Sequence, residues 1–281
     1  MTWRLQINHV SGFTYTGTAQ ASYNEARMTP MTTPWQITLL SQVEVAPAEV
    51  ASTWRYVDYW GSQVTVFDLH RPHQQLKVTA SSMVETEEPV VPEPVGWDVL
   101  HAPSTLDRHV ELLAPTLRTT VDETLRTRAA ELADGLAPRD AALAIADWVH
   151  ENVAYVPGST GVQTSAQEAW DLRKGVCQDI AQLTAGLLRS VGIPARYVSG
   201  YLHPRPDAVI GETVEGQSHA WVEWWCGGWE GYDPTNAVPT GVRHVIVARG
   251  REYGDVTPLK GVYHGASSSH LGVTVEVTRL G

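Results

Sequence analysis

A cysteine that opens a helical pattern, a histidine that opens a β pattern and an aspartate that closes the next strand can together break an amide bond. Cys177 follows Gly175-Val176 and starts the run CQDIAQLTAGLLRSVGIP. A thiol at a helix N-terminus meets the positive end of the dipole and unpaired first-turn N–H groups, and both favour the nucleophilic thiolate. The Cys177 N–H can also donate to a developing oxyanion. His219 opens HAWVEWW, and an imidazole accepts a thiol proton near neutral pH without tuning. Asp233 ends WEGYD, just before Pro234. Cys226-Gly227-Gly228 between these two runs reads as a hairpin turn. A three-residue loop centred on Cys226 predicts His219 directly opposite Asp233, and a two-residue loop shifts the register by one. Either register leaves the carboxylate within cross-strand reach, where it fixes the tautomer and stabilises imidazolium.

The elements that must position these groups are legible from periodicity. In the cysteine helix Ile180, Leu183, Thr184, Leu187, Leu188 and Val191 share one face, and Gly192 and Pro194 stop it. Earlier helices are predicted over 119–134, with Gly135 past its end, and from Pro138 to about Asn152. A short third one is capped by Ser165 and Glu168 and reaches Leu172. Strands are predicted at 195–202, 218–225, 229–233, 242–248 and 271–279. The chain begins differently. Trp3, Leu5 and Ile7 alternate with polar residues, and runs at 36–45, 53–60, 63–69 and 74–84 follow, with Tyr59-Trp60-Gly61-Ser62 as a turn. Residues 87–104 hold four prolines and no period. The organisation expected is a β-rich domain over 1–90, a Pro-rich linker or crossing segment over 91–115, and a catalytic core over 116–281. The fold class expected is α+β, a small β-sandwich preceding helices packed on an antiparallel sheet.

Composition narrows the function. The formal net charge is −11, which repels phosphate backbones and disfavours a nucleic-acid partner. No apolar run has the length of a signal-peptide core or a membrane span, so the compartment expected is the cytoplasm and no membrane partner is expected. The only cysteines are Cys177 and Cys226, too few for a disulfide framework, and no CxxC or HxxxH spacing suggests a structural metal. A zinc site built from Cys177, His219 and Cys226 is disfavoured because Cys226 lies at the far end of the hairpin, about 23 Å from His219 at strand rise.

The segments Gly175-Val176-Cys177-Gln178-Asp179, Gly192 to Tyr201 (GIPARYVSGY), Ser218 to Glu223 (SHAWVE) and Asp233-Pro234-Thr235-Asn236 resemble the bacterial transglutaminase-like superfamily. Val247 to Pro258 is similar to that family's downstream stretch, and the β-rich start resembles the N-terminal domain that often precedes its core. The resemblance implies a papain-like core with Cys177, His219 and Asp233 as a Cys-His-Asp triad. It carries no cofactor or metal onto any residue here. The chain is shorter than calcium-dependent eukaryotic transglutaminases and shows no calcium loop.

The reading that follows is a thiol enzyme attacking amide bonds of a peptide or protein through a thioester. Hydrolysis, as in a peptidase or amidase, is expected ahead of transfer to an amine. A non-catalytic peptide-binding module is the alternative from another class, since fold alone does not prove catalysis. Weaker candidates are Gln163 as a second oxyanion donor, Trp221, Trp224 and Trp225 as groove walls or core, and Tyr201 and His203 as cleft edges. Asp179 is read as a helix-start acid. Arg249 and Arg251 receive no role. The sequence gives no oligomeric state.

Overall fold

The computed structural model describes residues 2–47, 52–216, 218–265 and 267–281. The alternation at the N-terminus produces one long strand, Thr2–Ala19, in which Trp3, Leu5 and Ile7 face inward and are buried. It lies at the centre of a five-stranded antiparallel sheet in the order Thr213–Gly216, Ser269–Arg279, Thr2–Ala19, His73–Glu87, Gln36–Ala46. A four-stranded sheet, Leu259–His264, Ala21–Thr29, Gln63–Leu69, Ser52–Val57, packs against it. Tyr15, Met28, Phe67, Leu69, Leu76, Val78 and Leu259 fill the space between the two. This is the small β-sandwich expected at the start of the chain.

The second body is the α+β core. Its antiparallel sheet runs Val238–Pro239, Trp229–Asp233, Ser218–Trp225, Ala195–Leu202, His244–Gly250. Helix Cys177–Ser190 packs on Ser218–Trp225 and is surrounded by helices Glu123–Ala133, Pro138–Asn152 and Ala166–Leu172. The sequence shows one apolar face on the cysteine helix, but every residue from Gln178 to Arg189 is buried. Two of its polar members bond backbone carbonyls. The Thr184 hydroxyl donates to the Ile180 carbonyl (2.8 Å), and the Gln182 amide donates to the Thr164 carbonyl (3.2 Å). The first long helix starts at Glu123 rather than near 119, because the Asp122 carboxylate accepts the Leu125 N–H (2.8 Å) and caps it there. The capping box at Ser165 and Glu168 forms as expected.

Two features depart from the linear plan. The span 91–115 is not bare linker: it carries the short helices Trp97–Leu100, Pro103–Arg108 and Val110–Leu113, and the Val95 N–H donates to the Cys226 carbonyl (3.1 Å). The span 116–281 is not all core. Leu259–His264 and Ser269–Arg279 return to pair with Ala21–Thr29 and Thr2–Ala19, which stitches the sandwich to both chain ends. Strand periodicity reveals a strand but not its partner, so this closure is invisible in sequence.

The core sheet is packed tightly where it carries the site. A Cβ on Gly200 would stand 2.0 Å from the Val245 carbonyl oxygen and 2.6 Å from the Trp221 ring. Backbone on one side and a buried indole on the other leave no room to relax. Gly200→Ala is therefore expected to destabilise the fold by about 3 kcal/mol or more, read as a fall in the thermal midpoint. An unchanged midpoint would contradict this packing.

Candidate active site

The hairpin that joins the histidine and aspartate strands has a three-residue loop, but it is centred on Gly227. Trp225 pairs with Trp229 and Val222 with Tyr232. Gly227 adopts a φ of +107°, which only glycine takes without strain, and this sets the register. Asp233 consequently falls opposite Trp221, two residues from the partner predicted for it. His219 and Asp233 still share a face of the sheet as diagonal neighbours, a separation that long side chains span. The His219 Nε2 and Asp233 Oδ2 atoms are 2.6 Å apart.

Helix Cys177–Ser190 brings the thiol to the other side of this ring. Nε2 is committed to Asp233, so Nδ1 is the ring nitrogen left for Cys177, which stands close enough to the imidazole to raise its pKa. The helix start is held by Asp179. Its carboxylate accepts the Val176 N–H (2.8 Å) and the Thr160 hydroxyl (2.5 Å), the structural role read for it from sequence. The Cys177 N–H lies in the first turn, where no intrahelical acceptor exists.

Asp233 is completely buried and unusually well supplied with donors. The backbone N–H groups of Thr235 (3.0 Å) and Asn236 (3.2 Å) donate to Oδ1. Oδ2 accepts from His219, from the Asn236 amide (2.6 Å) and from His244 Nε2 (3.4 Å). Burial alone would raise the Asp233 pKa, yet its bonds to the two histidines and the charge on His219 hold it well below the usual carboxylate range. Burial likewise works to lower the His219 pKa, but its bond to Asp233 and the nearness of Cys177 push it up to about 10. The ring thus holds its proton beside the buried Asp233 carboxylate. His244 is different. Its Nδ1 accepts the Gly241 N–H (3.2 Å), so Nε2 carries the proton donated to Asp233, and burial lowers its pKa and keeps it neutral.

Cys177 and His219 open onto a cavity of about 270 Å³. Part of its wall comes from the sandwich: His9 and Ser11 on the first strand, Leu271 and Val273 on the last. His9 bonds the Tyr201 hydroxyl through Nδ1 (2.9 Å) and the Ser11 hydroxyl through Nε2 (2.9 Å). Burial pulls its pKa down to about 4, so it is neutral. Tyr155 lines the same cavity, within electrostatic reach of the sulfur. No Asp, Glu, Lys or Arg stands among the described lining residues. A shallower depression on the outer side of the pair carries one carboxylate, Glu215.

The structure brings Cys177, His219 and Asp233 together and sets the weaker candidates elsewhere. The Gln163 amide oxygen accepts from Arg118 (2.6 Å), and the residue does not line the cavity. Trp221 and Trp224 are fully buried, Trp225 stacks beside His109, and none of the three reaches the cysteine cavity. Tyr201 stands behind the wall, bonded to His9, and His203 is buried against Trp3. Arg249 pairs with Glu223 and Arg251 with Asp255. Cys226 is buried, and burial pushes its thiol up to about 12. His244, Asn236, Tyr155 and the sandwich wall were not singled out from sequence. One signal was present: His9 and Ser11 continue the inward alternation of Trp3, Leu5 and Ile7, and polar residues at inward positions of a strand ask for a partner or a cavity.

Comparison with known proteins places this geometry. The transglutaminase-like superfamily model matches residues 126–234, and the bacterial transglutaminase-like N-terminal region matches residues 5–85. An uncharacterized protein of Mycobacterium leprae is 48% identical over 99% of this chain and 99% of its own. A protein-glutamine gamma-glutamyltransferase of Pseudomonas aeruginosa is 38% identical over 97 residues, covering 32% of this chain and 14% of its own. A crystal structure from Cytophaga hutchinsonii, provisionally described as a cysteine protease, superposes with a TM-score of 0.75 at 20% identity, covering 99% of this chain and 98% of that one. It shares the fold over the whole length. Cysteine at a helix start, antiparallel sheet behind it and sandwich ahead of it are one architecture, and the chain belongs to the transglutaminase-like superfamily, with the bacterial N-terminal region preceding its core.

Proposed function

We propose that this protein is a thiol enzyme that opens an amide bond through a thioester and releases the acyl group to water. One observation carries the reading: His219 is clamped by a buried, ionised Asp233 on one nitrogen and faces the Cys177 thiol with the other, at the edge of a cavity. With the Cys177 proton already resting on His219, the sulfur attacks the carboxamide carbon. The Cys177 N–H donates to the oxyanion, with the Tyr155 hydroxyl as the second donor. His219 returns the proton to the leaving nitrogen as the C–N bond breaks, and the amine departs. Water then adds to the thioester, with His219 as base, and frees the acid and the thiol.

The substrate class is a peptide or protein amide whose inserted portion is uncharged, since apart from the reacting His219 the cavity offers hydroxyls, the neutral His9 imidazole and apolar walls. Transfer to an amine is the second reading. Glu215 in the outer depression favours it, because a carboxylate there attracts a protonated amine. The name of the Pseudomonas aeruginosa relative points the same way. A peptide library incubated with the protein and a primary amine, then read by mass spectrometry, separates the two. Free carboxylate products support hydrolysis, amine adducts support transfer, and an unchanged library across all peptides sinks the enzyme reading in favour of a binding module.

A further inference from the structure

Behind the core sheet, at its junction with the sandwich, lies a second cavity of about 340 Å³, within the size range of small-molecule sites. Its floor is Trp221 and its walls include Trp229 and the proline-rich crossing segment at Pro89 and Pro92. One buried and two partly buried charges converge there. Arg249 grips both oxygens of Glu223 through Nε and Nη2 (2.9 Å each), and Arg196 bonds the same carboxylate through Nε. Two guanidiniums against one carboxylate leave one positive charge uncompensated. Among the described residues, both terminal nitrogens of Arg196 and Nη1 of Arg249 have no acceptor. Arg196 lies over the Trp229 ring at 3.9 Å, which fixes its plane.

We propose that this cavity binds a small carboxylate through the free terminal nitrogens of Arg196 and Arg249. Geometry and charge select the class. Arg249 already holds one planar carboxylate in the two-point fork that guanidinium offers. A monoanion brings the Arg196–Glu223–Arg249 cluster to neutrality, whereas a phosphate dianion would overshoot beside Glu223. Burial lowers the Arg196 pKa to about 10 despite the charge of Glu223, consistent with a cation lacking a full counter-charge. Glu87, the other carboxylate along the wall, is exposed to solvent. The site goes beyond the thiol chemistry, because none of these groups touches Cys177.

The test is calorimetric titration of the full chain with acetate, with propionate and with phosphate at constant ionic strength, against a chloride control. A short peptide with a free C-terminus and its amidated form are two further titrants. Saturable binding of acetate and propionate is expected. Arg249→Gln should weaken it about tenfold or more, and Glu223→Gln, which removes the competing carboxylate, should tighten it by a similar factor. Thr240→Glu, which sets a fixed carboxylate in the cavity wall, should abolish it; this variant decides the matter if Glu223→Gln does not fold. A free-acid peptide that binds far better than acetate while its amide does not would identify a chain terminus as the natural source, and equal binding would identify a free acid. No saturable heat with any carboxylate overturns the proposal. So does tighter binding of phosphate, or an affinity unchanged in Thr240→Glu.

Discussion

Cys177→Ala is expected to lower amide-bond turnover by about a thousandfold or more while leaving the fold intact. Removing the nucleophile of a triad leaves only the catalysis that oxyanion donors and binding provide, and the measured costs of such deletions are of this size. The change is small in volume and falls on a half-buried side chain, so the thermal midpoint should move little. Thiol labelling makes the prediction specific. Cys226 is buried and its thiol is held protonated at neutral pH, so brief treatment with iodoacetamide should add one label to the parent protein and none to the variant. Retained turnover in Cys177→Ala, or a single label that survives the substitution, removes the thiol from the mechanism.

Much of the site was legible because its signals are local. A cysteine after Gly-Val and before a helical period, a histidine at the head of a strand and an aspartate before proline are each defined by neighbours within a few residues. What failed was register. A three-residue loop, one of the two lengths the sequence allows, does form, but it turns on Gly227 rather than Cys226, and that moves every cross-strand pair by two. A diagonal contact still joins His219 to Asp233, because period two keeps them on one face. Non-local pairing could not be read at all. Nothing near Ser269–Arg279 shows that it lies beside Thr2–Ala19, and so nothing showed that the sandwich walls the cysteine cavity. His244 was lost for the same reason. It sat in a predicted strand as one more residue, and its bond to Asp233 exists only once two separated strands of one sheet are folded together.

That bond matters for the second large effect, expected in Asp233→Asn. Oδ1 of the asparagine can still accept the Thr235 and Asn236 N–H groups, so the turn after the strand survives. At Oδ2 the substitution puts an amide against three donors at once: His219 Nε2, His244 Nε2 and the Asn236 amide. His219 then keeps its proton on the nitrogen that must accept one from Cys177, and turnover should fall by about a thousandfold or more. Each buried donor left unpaired costs about 1–3 kcal/mol, so a loss of at least about 3 kcal/mol of stability is expected as well. The pH dependence distinguishes this from a generic packing defect. Asp233 has its pKa depressed by folding, so its contribution is present above the unfolded value of about 3.9 and is lost as pH falls below it. His219 has its pKa raised to about 10, so its contribution is complete below about 6.5 and is lost as pH rises through the folded value. The stability gap between parent and variant should therefore be widest between about pH 4 and 6.5 and narrow on both sides. Thermal melts from acid to pH 10 measure it directly. A gap that stays constant across that range would mean that Asp233 holds the fold by shape alone, and the charged clamp on His219 would have to be abandoned.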